Sequence, residues 1–287
     1  MRFILVFLWS LHWLPLPILA RLGEALGGVL FYLLSKRRHI TLTNLRLCFP
    51  DMPEAERKKI AKQHFQMYAR SIFERSILWW SSEQRLRKLI QVDAPLSMAQ
   101  MVEKPTIFMC PHFVSLDVAG VAVMLENSLC SIYTPQRNPV FDKALRKGRS
   151  RFRPVKLFSR AEGVKPILRA MKEKLPFFML PDMDFGPKDA EFIPFFGVPA
   201  ATLTALPRIA AAAQAQVIPV IATMLPNYAG WKVSFHPAWE NYPGDDMLQA
   251  TRAMNAFIEQ EILKAPSEYF WAHKRFKTRP LGEASFY

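Results

Sequence analysis

The stretch CPHFVSLD at Cys110–Asp117 sets a histidine directly behind an apolar run and an aspartate five positions further on. If a helix begins near Val114, Asp117 stands in its first turn, near enough to accept an N–H from the His112 imidazole. A carboxylate so placed fixes the ring tautomer and steadies the imidazolium, leaving the other ring nitrogen free to take a proton from a hydroxyl. No serine or cysteine sits in an elbow beside this pair. The pattern therefore suits a base without a protein nucleophile, in which an activated hydroxyl attacks a thioester directly and the thiolate leaves without an acyl-enzyme. The H-x4-D spacing alone describes a loop or core histidine equally well.

Two further segments carry charge that such chemistry could use. YTPQRNPVFDKALRKGRSRFRP gathers Arg137, Arg146, Lys147, Arg149, Arg151 and Arg153. Guanidinium groups bind phosphate through paired donors, and positive charge stabilises a developing oxyanion; a solvated basic face is the plain alternative. LPDMDFG presents Asp182 and Asp184 on a turn. Two carboxylates alone make a poor Mg²⁺ site, so each aspartate is expected to pair with an arginine of the preceding segment, and no metal is expected. The closing EYFWAHKRFKTRP sets Tyr269, Phe270 and Trp271 beside His273, Lys274, Arg275, Lys277 and Arg279. Aromatics next to bases suit stacked RNA bases or a membrane interface over anionic headgroups; no nucleic-acid-binding motif accompanies them, so lipid is favoured.

Short apolar runs alternate with helical patterns around these residues. TIFMC (106–110), LCSIYT (129–134), PFFMLP (176–181) and QVIPVIA (216–222) read as buried strands, and WKVSFHPAW (231–239) could add another. Helical stretches fall near 53–80, 116–127, 139–149, 161–173, 203–214 and 246–263. That alternation implies an α/β domain with a parallel or mixed sheet. In 53–80, Phe65, Tyr68, Ile72, Phe73, Ile77 and Trp80 recur at three- and four-residue steps as a core face, with Asp51 and Pro53 at the start. Open α/β sheets place their sites beyond the carboxyl ends of strands, where His112 and Asp182 both fall.

The chain has 287 residues, 38 Lys and Arg against 24 Asp and Glu, and a net charge of +14. That excess points to an anionic partner, and 51% hydrophobic with 13% aromatic residues favours lipid over nucleic acid. Cys48, Cys110 and Cys130 form no CxxC pair and are odd in number, which argues against a disulfide framework or structural zinc and for a reducing, cytosol-facing domain. From Phe3 to Ala20 the chain runs FILVFLWSLHWLPLPILA, eighteen residues where roughly 20 span hydrocarbon. His12, Pro15 and Pro17 interrupt it. A secretory signal would need a better cleavage site than ILA-R, and a buried helix remains open. A membrane anchor over 1–40, with Lys36, Arg37 and Arg38 at the headgroups, is the reading taken, and 41–287 is the catalytic domain.

Taken in order, the apolar N-terminus, PHFVSLD, QRNPVFDKALRKGRSRF, LPDMDFG, FFGVPAATLTALPRIAA and YFWAHKRFKTRP resemble the late acyltransferases of lipid A biosynthesis, the lauroyl/myristoyl transferase group. The likeness covers nearly the whole chain and is far more specific than H-x4-D, which that group shares with the wider glycerolipid acyltransferases. It implies an enzyme of the bacterial inner membrane, its catalytic domain on the cytoplasmic face. Such an enzyme takes a fatty acyl chain, lauroyl or similar, from acyl carrier protein and esterifies a hydroxyacyl hydroxyl of a Kdo-bearing lipid A precursor, without a cofactor. The implied fold is the glycerolipid-acyltransferase α/β type, a mixed sheet flanked by helices behind an N-terminal anchor helix. By position, His112 is implied as general base and Asp117 as its orienting partner, an aspartate where some members carry glutamate. Arg149 and Asp182 fall on further positions linked to activity, and Asp184 and Arg151 complete the set that would bind substrate or stabilise the transition state. Met183 stands where relatives often carry Gln or His, which leaves the role of Asp184 open. The alternatives are an acyltransferase of the same mechanism acting on a lyso-aminolipid or lysophospholipid, and a non-catalytic membrane-associated lipid-binding protein.

Overall fold

The computed structural model describes residues 2–287. The chain begins with α1 (Arg2–Leu11), α2 (Leu16–Leu33), α3 (Ser35–Cys48), α4 (Glu54–Trp80), α5 (Glu83–Leu89), β1 (Ile90–Asp93) and α6 (Met98–Met101). It continues through β2 (Thr106–Met109), α7 (Leu116–Glu126), β3 (Leu129–Tyr133), α8 (Pro139–Gly148), β4 (Val155–Ser159), α9 (Lys165–Lys172) and β5 (Phe177–Met179). It closes with β6 (Ala190–Phe195), β7 (Val198–Leu203), α10 (Ala205–Ala213), β8 (Gln216–Met224), β9 (Trp231–Phe235) and α11 (Met247–Lys264). Seven strands form one mixed sheet in the order β1-β9-β8-β2-β5-β3-β4, flanked by helices and parallel except where β9 runs against β8.

Central position explains why β2 and β5 read as unbroken apolar runs. Both are buried at every residue, as parallel strands covered on both faces must be. In β9 the alternation survives, with Trp231, Val233 and Phe235 turned inward. α7 packs between the sheet and α4 and is buried nearly all round from Val118 to Leu125. The strands β6 and β7 form a separate antiparallel hairpin, turned at Phe196 and Gly197, both with positive φ. A two-residue turn of that kind matches the natural strand twist.

The N-terminus departs from expectation. No continuous helix covers 3–20, because the chain breaks between Leu11 and Leu16; Pro15 has no N–H to donate and disfavours helix at Leu14. The helix long and apolar enough to cross a membrane is instead α2. It lies antiparallel along α4, with Gly23 against Arg70 and Gly27 against the backbone of Phe65 and Gln66, where a Cβ would sit 2.3 Å from the Phe65 carbonyl oxygen. Glu24, on the same face, accepts a hydrogen bond from Tyr228 Oη at 2.9 Å and lies 3.5 Å from Arg70. Ile18, Leu22, Leu26, Val29 and Leu33 remain exposed. Of the basic cluster, Arg38 donates to the Phe31 and Tyr32 carbonyls and Arg37 to that of Ala272.

The core face of α4 is more polar than its apolar periodicity predicts. Phe65 and Ile77 are buried, but so are His64, Arg70 and Glu74. Arg70 pairs with Glu74, which also accepts from Trp231 Nε1 at 3.0 Å. The closing segment is likewise corrected: Tyr269, Trp271, Arg275 and Phe276 belong to the core rather than to a membrane interface. Arg275 donates to the Ala201 carbonyl and to Thr202 Oγ1, and Asn44 donates to the carbonyls of Trp271 and His273. These partners satisfy groups that burial would otherwise penalise.

Candidate active site

The site begins with the pairing of β2 and β5. Their register sets Met109 opposite Met179, so His112 and Asp182 are each the third residue beyond equivalent rungs of neighbouring parallel strands. The Cys110 N–H donates to the Met179 carbonyl at 2.8 Å and carries the ladder one step further. Beyond it, the His112 backbone N–H donates to Asp182 Oδ2 at 2.9 Å, and His112 Nδ1 lies 2.7 Å from Asp182 Oδ1. A carboxylate can only accept here, so Nδ1 carries the proton and Nε2 presents its lone pair. Among the described residues Nε2 has no hydrogen-bond partner, and the His112 side chain is 18% exposed where Asp182 is buried. Burial alone would raise the Asp182 carboxyl; the charge of His112 and its two hydrogen bonds outweigh that and hold it below the usual carboxylate range.

The closing segment fixes the histidine loop from the other side. The Phe270 N–H donates to the His112 carbonyl at 2.9 Å and the Val114 N–H to the Glu268 carbonyl at 2.8 Å. Phe113 and Tyr269 form the antiparallel bridge between them. His112 is thus held at its backbone by two segments and at its ring by Asp182.

Asp117 does stand in the first turn of α7, yet it is not the partner of the imidazole. Its Oδ2 accepts from Arg75 Nε at 2.8 Å, and its Oδ1 accepts from Arg149 Nε at 3.1 Å and Nη2 at 2.6 Å. Burial pushes the Asp117 carboxyl up, but Arg149 and then Arg75 overcome it and hold it well below the usual range. The helix N-terminus adds favourable dipole. Arg149 arrives through α8, which Asn138 caps and Pro139 starts, as that residue pair favours. At the other end of α8, Gly148 lies flat against the Trp79 ring, where a Cβ would come within 2.6 Å. This close approach carries Arg149 to Asp117.

The remaining candidates have other partners. Arg151 donates to the Leu78 and Ser81 carbonyls at the end of α4, so it closes that helix rather than facing a substrate. Asp184 pairs with no arginine of the preceding segment. It accepts from Gly186 N–H, Thr278 N–H and Thr278 Oγ1, while its own N–H donates to His273 Nε2 at 3.2 Å. Burial, helped by the charge of His112, lowers His273 to about 4, consistent with a neutral acceptor. Asp184 therefore ties the aspartate loop to the closing segment. Arg75 carries no signal in the sequence, because nothing distinguishes it from the other basic residues of α4.

Asp117 and Arg149 also line a narrow cavity of about 90 Å³, partly open to solvent, whose walls are largely apolar, among them Leu78, Trp79, Met124 and Leu157. Apolar walls with a few convergent charged groups are the character of a small-molecule site. Leu116, which opens α7 just beyond His112, and Leu180, between β5 and Asp182, line it as well.

A family model described as bacterial lipid A biosynthesis acyltransferase matches residues 2–278. Among curated proteins, a lipid A biosynthesis palmitoleoyltransferase of Escherichia coli is 33% identical over 286 residues, covering 98% of this chain and 92% of the relative. A lauroyltransferase of the same pathway and organism is 30% identical, with 98% and 92% covered. A myristoyltransferase, also from Escherichia coli, is 31% identical, with 94% and 83% covered.

Proposed function

Since this chain belongs to the bacterial lipid A biosynthesis acyltransferase family, we propose that it moves a fatty acyl chain from acyl carrier protein to a hydroxyacyl hydroxyl of a Kdo-bearing lipid A precursor. The hydrogen bond between His112 and Asp182 carries this reading. His112 Nε2 takes the hydroxyl proton as the oxygen attacks the thioester carbonyl. Asp182 steadies the imidazolium that forms. Arg149, aimed by Asp117, stabilises the oxyanion of the tetrahedral intermediate. Collapse breaks the C–S bond, and the thiolate of the carrier takes the proton from His112. The hydroxyl nucleophile is the acceptor's own, so no protein nucleophile is required.

The apolar cavity takes the acyl chain in this reading, and the arginines of 137–153 meet the acidic carrier and the anionic acceptor. The fold is read as the glycerolipid-acyltransferase type. Residues 1–40 act as the anchor of a catalytic domain (41–287) on the cytoplasmic face of the bacterial inner membrane. The exposed apolar residues of α1, α2 and the turn between them, Phe3, Val6, Trp13 and Val29 among them, support lipid contact.

The test is transfer of a labelled lauroyl chain from acyl carrier protein to a Kdo-bearing tetraacyl lipid A precursor, with products resolved by mass. Wild type should add one acyl chain and His112→Ala none. Transfer by wild type to a lysophospholipid or lyso-aminolipid but not to the lipid A precursor would contradict the acceptor assigned here. Equal transfer by His112→Ala would contradict the base.

A further inference from the structure

Gly120 lies in the middle of α7, where glycine weakens a helix relative to alanine. At Gly23, Gly27 and Gly148 a neighbouring backbone or ring comes so close that no Cβ would fit, while Gly28, half-buried on α2, has room for a Cβ in ordinary contact with Gln66. Gly120 has no such neighbour. Its backbone is ordinary helix, and a Cβ built there meets nothing within 4 Å, although Val118, Ala119, Val121 and Ala122 around it are buried. An interior position that is open on its side-chain face opens onto something. Here it is the apolar cavity, which Gly120 lines.

We propose that Gly120 is a specificity-determining position, its missing side chain setting the length of acyl chain that the cavity admits. Asp117, Gly120, Val121 and Met124 all line the cavity, and their spacing puts them on one stripe of the helix. At about 1.5 Å of rise per residue, Gly120 stands about 4.5 Å along the axis from Asp117 and Met124 about 10.5 Å. Gly120 is therefore between the charged end of the cavity and its deeper apolar wall, and any side chain there projects into the path of a chain that enters beside Arg149. This inference rests on the reading that the cavity receives the acyl chain.

Two measurements on the whole protein in detergent test it. In the first, wild type, Gly120→Ala and Gly120→Leu choose among equal amounts of octanoyl-, decanoyl-, lauroyl-, myristoyl- and palmitoyl-acyl carrier protein, and mass analysis gives the product ratio. In the second, the same proteins bind ¹⁴C-labelled octanoate and myristate. Each methylene shut out costs about fourfold, the equivalent of about 0.8 kcal/mol. Gly120→Leu should therefore lower the ratio of long to short products and the affinity for myristate relative to octanoate by about tenfold or more, with Gly120→Ala in the same direction and smaller. Alanine raises helix propensity, so Gly120→Ala keeps the test decisive if the leucine variant does not fold. An unchanged product ratio in a folded variant, with wild type active, overturns the inference. Wild type that transfers nothing, while myristate binding is lost in Gly120→Leu, overturns the reaction and upholds the role of Gly120. Wild type that neither transfers nor binds overturns both.

Discussion

Two aspartates, one buried and one largely so, flank the proposed chemistry, and they are balanced in opposite ways. Asp182, at the end of a strand, faces a histidine, a group that is charged only when it has taken a proton. Asp117, at the start of a helix, faces two arginines that are always charged. The first carboxylate has a full counter-charge only when the base is protonated, so its attraction grows as the proton moves. The second is neutralised at rest, and what it supplies is a fixed position for Arg149. The H-x4-D aspartate thus sets a cation, while the His112 ring, the proposed base, is held by a residue 70 positions away.

The largest expected effects come from breaking the histidine side of that comparison. His112→Ala should lower kcat by roughly 10²–10⁴ with the fold retained by circular dichroism. Asp182→Asn should fall in a similar range, because an amide that donates toward Nδ1 favours the wrong tautomer; kcat within a few-fold of wild type would remove Asp182 from the orienting role. On the other side, Arg149→Gln should cost roughly 10²–10³ in kcat, the usual loss for one oxyanion donor. Asp117→Asn should lose activity and also stability, by roughly 1–3 kcal/mol, since it leaves two part-exposed arginines facing each other without their anion. Calorimetry would separate the two effects. Arg75→Gln, which leaves the Arg149–Asp117 pair in place, should be the mildest, within about tenfold in kcat, the smallest step on the scale of transition-state energies.

A smaller effect lies outside the pair. His64 and His273 are both held near 4 by burial. Between pH 6.5 and about 4 the unfolded chain takes up a proton at each that the folded chain refuses. The contribution of each histidine to stability is therefore full above pH 6.5 and falls as the pH drops, by about 1.4 kcal/mol per pH unit. Glutamine at position 64 can still donate to the Ser267 carbonyl that His64 meets at 3.2 Å. Urea titrations from pH 7 to 5 should show the slope of His64→Gln lower than that of wild type by about 1.4 kcal/mol per pH unit; an equal slope would take His64 out of the acid response.

Much of the sheet and half of the base pair are legible in the amino-acid string. The unbroken runs TIFM and FFM mark two covered strands, and the rule that sites lie beyond strand ends draws attention to both His112 and Asp182. Their pairing is hidden, because β5 enters the sheet between β2 and β3 only after the chain has gone out to β4 at the edge. Local spacing instead makes Asp117 the nearer acceptor for His112, and the second arginine at Asp117 comes from α4, 42 residues away. The hairpin of β6 and β7 leaves no readable trace, since Pro194 and Pro199 interrupt its strand pattern, though they sit opposite one another. The closing YFWAHKRF has the composition of an interfacial segment; only tertiary partners such as Asn44 and Thr202 allow it to be core. The long N-terminal apolar run is visible, and Pro15 and Pro17 mark its break, but not the packing of Gly23 and Gly27 on α4.

The most direct test of which aspartate holds the base is the ring ¹⁵N and ¹H spectrum of His112 in histidine-labelled protein, with His112→Gln to assign it. The account predicts a proton on Nδ1, shifted downfield by its carboxylate partner. That signal should be lost in Asp182→Asn and kept in Asp117→Asn. The reverse pattern, kept without Asp182 and lost without Asp117, would contradict it.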